Sequence, residues 1–362
     1  MTDPPSDKPS APAPSDKPVW ERRDNLHYNQ IRDNRRNVEI NIGKACNNRC
    51  VFCVDGVRKK EDRSYLPKEE MFAEIERFAA SGHQSLGFLG GEPTTYRWLP
   101  ESVEHARKHG FTRIVIATNA TRLRKPEYAD RLLDAGLTRV TVSIHGHTAE
   151  LEDKQTRVPG NFDKKVVALK YLVAQRAAGY LIDGVSVNIV LNGWNYRYLP
   201  KMMKFFYDSI GVQDIRVNFM RPEGYAEGNR ELSAPYTVVV PIMMKAILLA
   251  EYHWKDKTFT FGGFPLCVLP RQLRDSDHLL KKYMGEYRDL STDCSVRQDG
   301  NGVGIEQVDQ KTQRSRFNWQ ERKRYDLKSP VRACGSCTRV ELCEGIWNGY
   351  LHIHGEGEFR SI

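Results

Sequence analysis

Between residues 37 and 220, short β-branched and apolar runs alternate six times with amphipathic stretches, and that rhythm leaves few folds open. The strand-like runs fall at 37–43, 84–90, 113–118, 139–145, 184–192 and 214–220. Between them lie helix-period segments: PKEEMFAEIERFAAS, RWLPESVEHARKHG ending at Gly110, KPEYADRLLDAG, a long one over about 161–178, and YRYLPKMMKFFYDSIG. Hydrophobic strands spaced by helices imply a parallel sheet with helices outside, and residues that form a site then collect at the strands' C-terminal ends. The fold class read from this is α/β, with barrel-type parallel strands.

The rest of the chain reads differently. Residues 1–34 are rich in Pro, Ser, Asp and Lys, with too few apolar anchors to offset the entropy of ordering, so a disordered tail is expected there. The barrel is expected over 35–230. After it, a helix over about 236–254 leads to TFTFGGFPLCVLP and then to a loop-rich, cysteine-bearing part, so a smaller C-terminal extension is expected over 231–362. The apolar run VVVPIMMKAILLA is broken by Pro241 and Lys245 and is shorter than the roughly 20 residues a spanning helix needs, so no membrane segment is expected. No secretory signal opens the chain, which points to the cytoplasm and reduced thiols, where cysteines serve metals or catalysis. A net charge of +9 suits an acidic partner.

Three of the eight cysteines stand at Cys46-x3-Cys50-x2-Cys53, on the loop after the first strand. A structural zinc site takes four protein ligands, and no fourth is near. Three thiolates suit a cubane iron–sulfur cluster whose fourth iron stays open to a ligand. The second strand ends in LGGEPTT, where paired glycines permit close backbone approach and Glu92 could meet an ammonium; an ordinary strand-to-helix turn is the alternative.

The CxxxCxxC loop with Phe52 before its third cysteine, followed by GGEP at the end of strand two, resembles the radical S-adenosylmethionine (SAM) superfamily. The resemblance covers about residues 36–220. It implies a partial (β/α)6 barrel holding a four-iron four-sulfur cluster on Cys46, Cys50 and Cys53, with SAM on the open iron cleaved to a 5′-deoxyadenosyl radical. It further implies that Phe52 lies near adenine, that Gly90, Gly91, Glu92 and Pro93 form the turn facing the SAM ammonium, and that Thr118 and Asn119 lie near the ribose. Ser143 would face SAM and Arg157 would meet its carboxylate. His145 and His147, past the fourth strand, could line the substrate cavity, with His145 the catalytic candidate. Asn188 and Asn218 could point inward from strands five and six.

A second group, Cys334-x2-Cys337-x5-Cys343 with Cys267 upstream, could hold zinc as a ribbon. Behind such a barrel it resembles the auxiliary-cluster extensions termed SPASM and twitch. The full SPASM pattern carries one more cysteine where this chain has Trp347, which favours one auxiliary four-iron cluster over two. Cys294 is left over as a free thiol, an alternative ligand or a substrate-side residue, and it joins His145 as a catalytic candidate.

The resemblance implies hydrogen abstraction from a substrate in peptide or protein modification or natural-product biosynthesis. A small-molecule oxidase or epimerase acting on an aminosugar or nucleotide is the alternative. A non-catalytic iron–sulfur or zinc protein that binds nucleic acid is a further one. Expected partners are an acidic ferredoxin- or flavodoxin-type reductant and a peptide or small-molecule substrate, with neither membrane nor nucleic acid. The stretch WQERKRYDLKSPVR, with Trp319 and Tyr325 among its cations, could dock the reductant, an acidic peptide or RNA, or be a solvated loop.

Overall fold

The computed structural model describes residues 35–54, 64–295 and 316–362, so the expected tail over 1–34 lies outside the described residues. The six expected strands are all present: β1 (Asn37–Asn41), β2 (Ser85–Leu89), β3 (Arg113–Thr118), β4 (Arg139–Ser143), β5 (Gly184–Leu191) and β6 (Asp214–Phe219). They pair in parallel, each with its successor in the chain. Helices α1 (Lys68–Ala80), α2 (Leu99–Lys108), α3 (Pro126–Ala135), α4 (Ala149–Thr156), α5 (Asn161–Ala177) and α6 (Leu199–Lys204) make the crossovers, and α7 (Tyr236–His253) follows β6.

The sheet is larger than six strands. β7 (Thr258–Gly262) adds in parallel to β6, and β8 (Thr292–Ser295) adds in parallel to β1 on the opposite edge. A short antiparallel β9 (Arg316–Asn318) ends the β8 side, giving the order β7-β6-β5-β4-β3-β2-β1-β8-β9. The eight parallel strands make an open sheet rather than a closed barrel. Both added strands come from the part of the chain after residue 231, which therefore shares the barrel's hydrogen-bond ladder.

Alternation along the strands sorts the two faces. Val38, Ile40, Leu86, Phe88, Ile114 and Ile116 have no exposed surface and form the core with the helices. The opposite face is polar and laced by hydrogen bonds: Asn218 donates to Asn188 at 2.6 Å, Thr141 and Ser186 share a hydrogen at 3.0 Å, and Arg216 grips Asp289 with two bonds of 2.5 Å. Such a face suits a lumen that receives a polar molecule.

Two helices depart from the expected pattern. α4 is a short extra helix between β4 and α5, N-capped by Thr148, whose hydroxyl accepts from Leu151 N. α6 runs on as a π turn over Phe205–Ile210 and stops at Gly211 in the left-handed region. No helix among the described residues is long and apolar enough to cross a membrane.

Candidate active site

The cysteine loop leaves β1 at the sheet's C-terminal edge and is latched on three sides. Arg49 N and Val51 N donate to Thr156 O (3.0 Å) and Gln155 O (2.9 Å) at the end of α4. Asn47 donates to the Thr121 hydroxyl at 2.8 Å and accepts from Asn119 at 2.6 Å, which ties the loop to the end of β3. Tyr225 N donates to Cys53 O at 3.0 Å, bringing in the segment after β6.

The GGEP turn is the fourth wall. Gly91 N donates to Gly43 O at 2.7 Å and Glu92 N to Ala45 O at 2.8 Å. A β-carbon on Gly91 would lie 2.1 Å from Ala45 O, so only glycine permits this approach. Gly90 has φ +120° and is similarly hemmed in by Asn41 and Gly43. Pro93 opens the 3-10 turn that follows.

Glu92 itself does not reach outward. Its buried carboxylate accepts from Thr94 N (3.0 Å), from the hydroxyls of Thr94 and Thr118 (both 2.5 Å) and from Asn119 N (2.6 Å). Thr118 and Asn119 are thereby held in place by Glu92, and all three brace the ends of β2 and β3. The N–H groups of Gly91 and Glu92 are likewise committed, to Gly43 and Ala45.

Phe52 is buried with Val51, Met220, Ala226 and Leu232, and Cys50 packs against this cluster. Its ring meets His145 edge-on at 4.6 Å and 78°. Val190 N donates to His145 Nδ1 at 3.0 Å, so Nε2 carries the ring proton. Burial, and the Lys165 ammonium, push its pKa well below the usual imidazole value. The ring is therefore a neutral donor through Nε2, a restriction on the catalytic part expected of it. His147, tilted against Tyr198, is also shifted down, by burial and by Lys201.

Beneath this surface is a polar network that the sequence reading missed. Lys165 Nζ donates to Glu152 Oε1 (2.5 Å) and to Ser143 O (2.8 Å), and neither charged side chain has exposed surface. Glu152 Oε2 accepts from His145 N at 2.6 Å, and Gln155 Nε2 donates to His145 O at 2.9 Å. Ser143 thus enters through its carbonyl. The signal for Lys165 was its place on the stripe shared with Ala168, Leu169 and Leu172: one cation on an apolar helix face.

Arg157 ends α4 with φ 55°, and its side chain is exposed beside the cysteine loop. Asn188 lies on the lumen face, paired with Asn218. Cys294 sits on β8 beside Glu39, at the middle of β1, and does not line the cavity of Cys267, Cys334, Cys337 and Cys343.

The thiols fit a thiolate-binding group. Cys46 and Cys50 are pushed up to about 12, chiefly by burial, and each feels the neighbouring cysteines. Without a cation these thiols stay neutral, and a bound cation would hold them as thiolates. Cys267, Cys334, Cys337 and Cys343 line one cavity with Val331 and Phe359. Burial raises Cys267 to about 11. Backbone N–H groups already face two of these sulfurs, Val331 N to Cys334 and Arg339 N to Cys337, both at 3.4 Å. Zinc and iron–sulfur clusters both accept four such ligands.

Three cations of the basic stretch 319–332 turn inward. Lys323 and Lys328 are buried and both grip Glu344 at 2.8 Å, and Arg324 donates to Glu341 O and Val340 O. Arg332, at the end of the same stretch, is exposed.

The family model of the radical SAM superfamily matches residues 40–206. Fe-coproporphyrin III synthase from Methanosarcina barkeri is 34% identical over 48% of this chain and 42% of its own length. GTP 3′,8-cyclase from Tolumonas auensis is 32% identical over 42% and 44%. The chain thus spans under half the length of these two curated relatives. In shape it is similar to Streptococcus suis SuiB bound to S-adenosylmethionine, with a TM-score of 0.60 over 92% of this chain and 78% of that one at 15% identity. It is also similar to anSMEcpe with bound AdoMet and Cp18Cys peptide, with a TM-score of 0.52 over 89% and 95% at 16% identity. With the cysteine loop, the glycine turn and the open parallel sheet in place, residues 40–206 form a radical SAM domain, of the superfamily whose members are enzymes that work with S-adenosylmethionine and a four-iron four-sulfur cluster.

Proposed function

We propose that this chain is a radical SAM enzyme that abstracts hydrogen from a peptide substrate, with its first cluster on Cys46, Cys50 and Cys53 and an auxiliary cluster on Cys267, Cys334, Cys337 and Cys343. The observation that carries the two-cluster reading is the convergence of Cys267 with three cysteines more than 60 residues further on, about one cavity. When bound, the cluster and SAM supply a one-electron cleavage of a sulfonium, yielding the 5′-deoxyadenosyl radical.

The chain's own part is to hold and to shield. The latches from Thr156, Gln155 and Asn119 fix the cysteine loop, and the glycine turn, packed against Gly43 and Ala45 just before Cys46, is the wall that would face SAM. Phe52, Met220 and Leu232 wall the site with apolar surface, which excludes water from a carbon radical. Asn188 and Asn218 on the lumen face present amide groups to a polar substrate. Arg157, exposed beside the loop, and the neutral His145 Nε2–H are the groups offered to carboxylate and acceptor atoms.

A peptide is the first choice because the fold neighbour SuiB has been seen with its precursor peptide SuiA, in an alignment spanning 91% of this chain. A small molecule is the second, because the sequence relatives are named for GTP and for a porphyrin. The non-catalytic nucleic-acid-binding reading does not stand beside membership of a superfamily of enzymes. Eight free cysteines suit a reducing cytoplasm, and the net charge of +9 suits an acidic flavodoxin- or ferredoxin-type reductant. The test is anaerobic reconstitution with iron and sulfide, followed by assay for 5′-deoxyadenosine with SAM and dithionite. Two four-iron clusters require about eight irons per chain. Iron near half that figure with one zinc would remove the auxiliary cluster, and absence of 5′-deoxyadenosine would remove the enzyme reading.

A further inference from the structure

Two asparagines stand between Cys46 and Cys50, and the structure gives them different work. The side chain of Asn47 is satisfied by Thr121 and Asn119. Asn48 is not. Its Oδ1 accepts from Asn161 Nδ2 at 2.7 Å, and Asn161, 2% exposed at the start of α5, fixes which way the amide faces. The Nδ2 end is therefore turned away from Asn161; it is buried and has no hydrogen-bond partner among the described residues. Leaving such a donor unmet is costly, so a buried amide held this way implies an acceptor. Cys50, two residues further along the same loop, lies within its reach. The backbone N–H of the same residue donates to Cys46 Sγ at 3.3 Å.

We infer that Asn48 is a positioning residue of the cysteine-loop cluster, its backbone N–H aimed at the sulfur of Cys46 and its side-chain Nδ2 at the sulfur of Cys50, and that it raises the cluster's reduction potential. This rests on the proposed assignment of Cys46, Cys50 and Cys53 as ligands. The physical reason is charge. One-electron reduction adds a negative charge that spreads onto the thiolate sulfurs, and donors aimed at them stabilise the reduced form more than the oxidised one. Asn161 sets the orientation, because without its bond to Oδ1 the amide can turn its acceptor toward the sulfur.

The experiment is a redox titration of the anaerobically reconstituted holoprotein with dithionite as reductant, followed by electron paramagnetic resonance. The cluster on the cysteine loop is the one whose signal changes when SAM is added. Asn48→Leu removes the donor, Asn48→Asp replaces it with a carboxylate oxygen while keeping Oδ1 for Asn161, and Asn161→Ala frees the amide to turn. At the potential where the unaltered protein is half reduced, the ratio of reduced to oxidised cluster is expected to fall about tenfold in Asn48→Leu, equivalent to about 59 mV. Asn48→Asp should fall further, and Asn161→Ala should fall less but in the same direction. A purely structural role would lower the iron retained and leave the potential of the remaining cluster in place, which overturns the inference. Unchanged potentials with full iron in Asn48→Leu and Asn48→Asp also overturn it. Should the two Asn48 variants fail to hold iron, Asn161→Ala decides by its own potential. If the unaltered protein shows no signal that responds to SAM, the cysteine assignment has failed, and this inference falls with it.

Discussion

Lys165 and Glu152 form an ion pair with no exposed side-chain surface, directly under the loop that carries Cys50. Removing one member of a buried pair leaves an uncompensated charge and costs about 3–5 kcal/mol, whereas removing both leaves none. Lys165→Met is expected to lower the urea midpoint accordingly, and Lys165→Met combined with Glu152→Gln to recover most of the loss. Equilibrium denaturation of the two variants checks this, and a double variant no better than the single one would show that the pair is not the cause. His145 adds a pH dependence. Its folded pKa lies below the ordinary value of about 6.5, so below that pH the unfolded chain takes up a proton that the folded chain refuses. Stability is full above about pH 6.5 and declines as pH falls toward the folded pKa, at up to about 1.4 kcal/mol per pH unit for one such group. His147 acts in the same direction. His145→Gln should flatten the slope of the urea midpoint between about pH 6.5 and 5 by one proton's share, and an unchanged slope would contradict this reading.

At the scale of elements, the turn after β2 decides whether the cysteine loop can take its shape. Gly91→Ala would drive a methyl into Ala45 O, one residue before Cys46, and backbone cannot yield as a side-chain tip does. The expected cost is about 1–3 kcal/mol, with loss of most of the 5′-deoxyadenosine formed. Iron analysis should show loss at the cysteine loop while the auxiliary iron stays. Gly110→Ala is the control, because nothing lies within 4 Å of a β-carbon there, although its φ of +90° carries a small strain of its own. The six strands and the helices between them were legible in the sequence because each has one dominant period and turn residues at its ends. The cysteines and the glycine turn were legible because their chemistry depends on local spacing. Glu92 was half legible: its position could be read, but its commitment to Thr94, Thr118 and Asn119 depends on where β3 ends, which spacing alone does not fix. Asn48 and Lys165 matter through partners 113 and 13 residues away, and no periodicity carries that information.

Over the whole molecule, the C-terminal part is joined to the sheet at both edges, an arrangement that the sequence did not disclose. β8 is four residues long and pairs with β1 across about 250 positions, and β7 lies in the stretch TFTFGGFPLCVLP, to which the sequence reading assigned no strand. The consequence is a prediction about where the chain can be cut. A fragment ending at residue 230 keeps the six expected strands but loses β7 and β8, exposing the hydrogen-bonding edges of β6 and β1. It also loses α7, whose buried Tyr236, Val239, Met243 and Ala246 have no exposed or nearly no exposed surface and belong to the one large core. Bare parallel edges and an uncovered apolar face favour association between chains. The fragment over 35–230 is therefore expected to be aggregated or to lack a cooperative thermal transition, where the full chain has one. A second cut tests the other half of the argument. None of the auxiliary cysteines lies on these strands, so Cys334→Ser, which removes one thiol and no strand, should keep the cooperative transition while losing about four irons per chain. Light scattering and calorimetry of the fragment, set beside iron analysis of Cys334→Ser, separate the two contributions. A monomeric, cooperatively melting fragment would mean that the edge strands are accessories to a barrel able to stand alone.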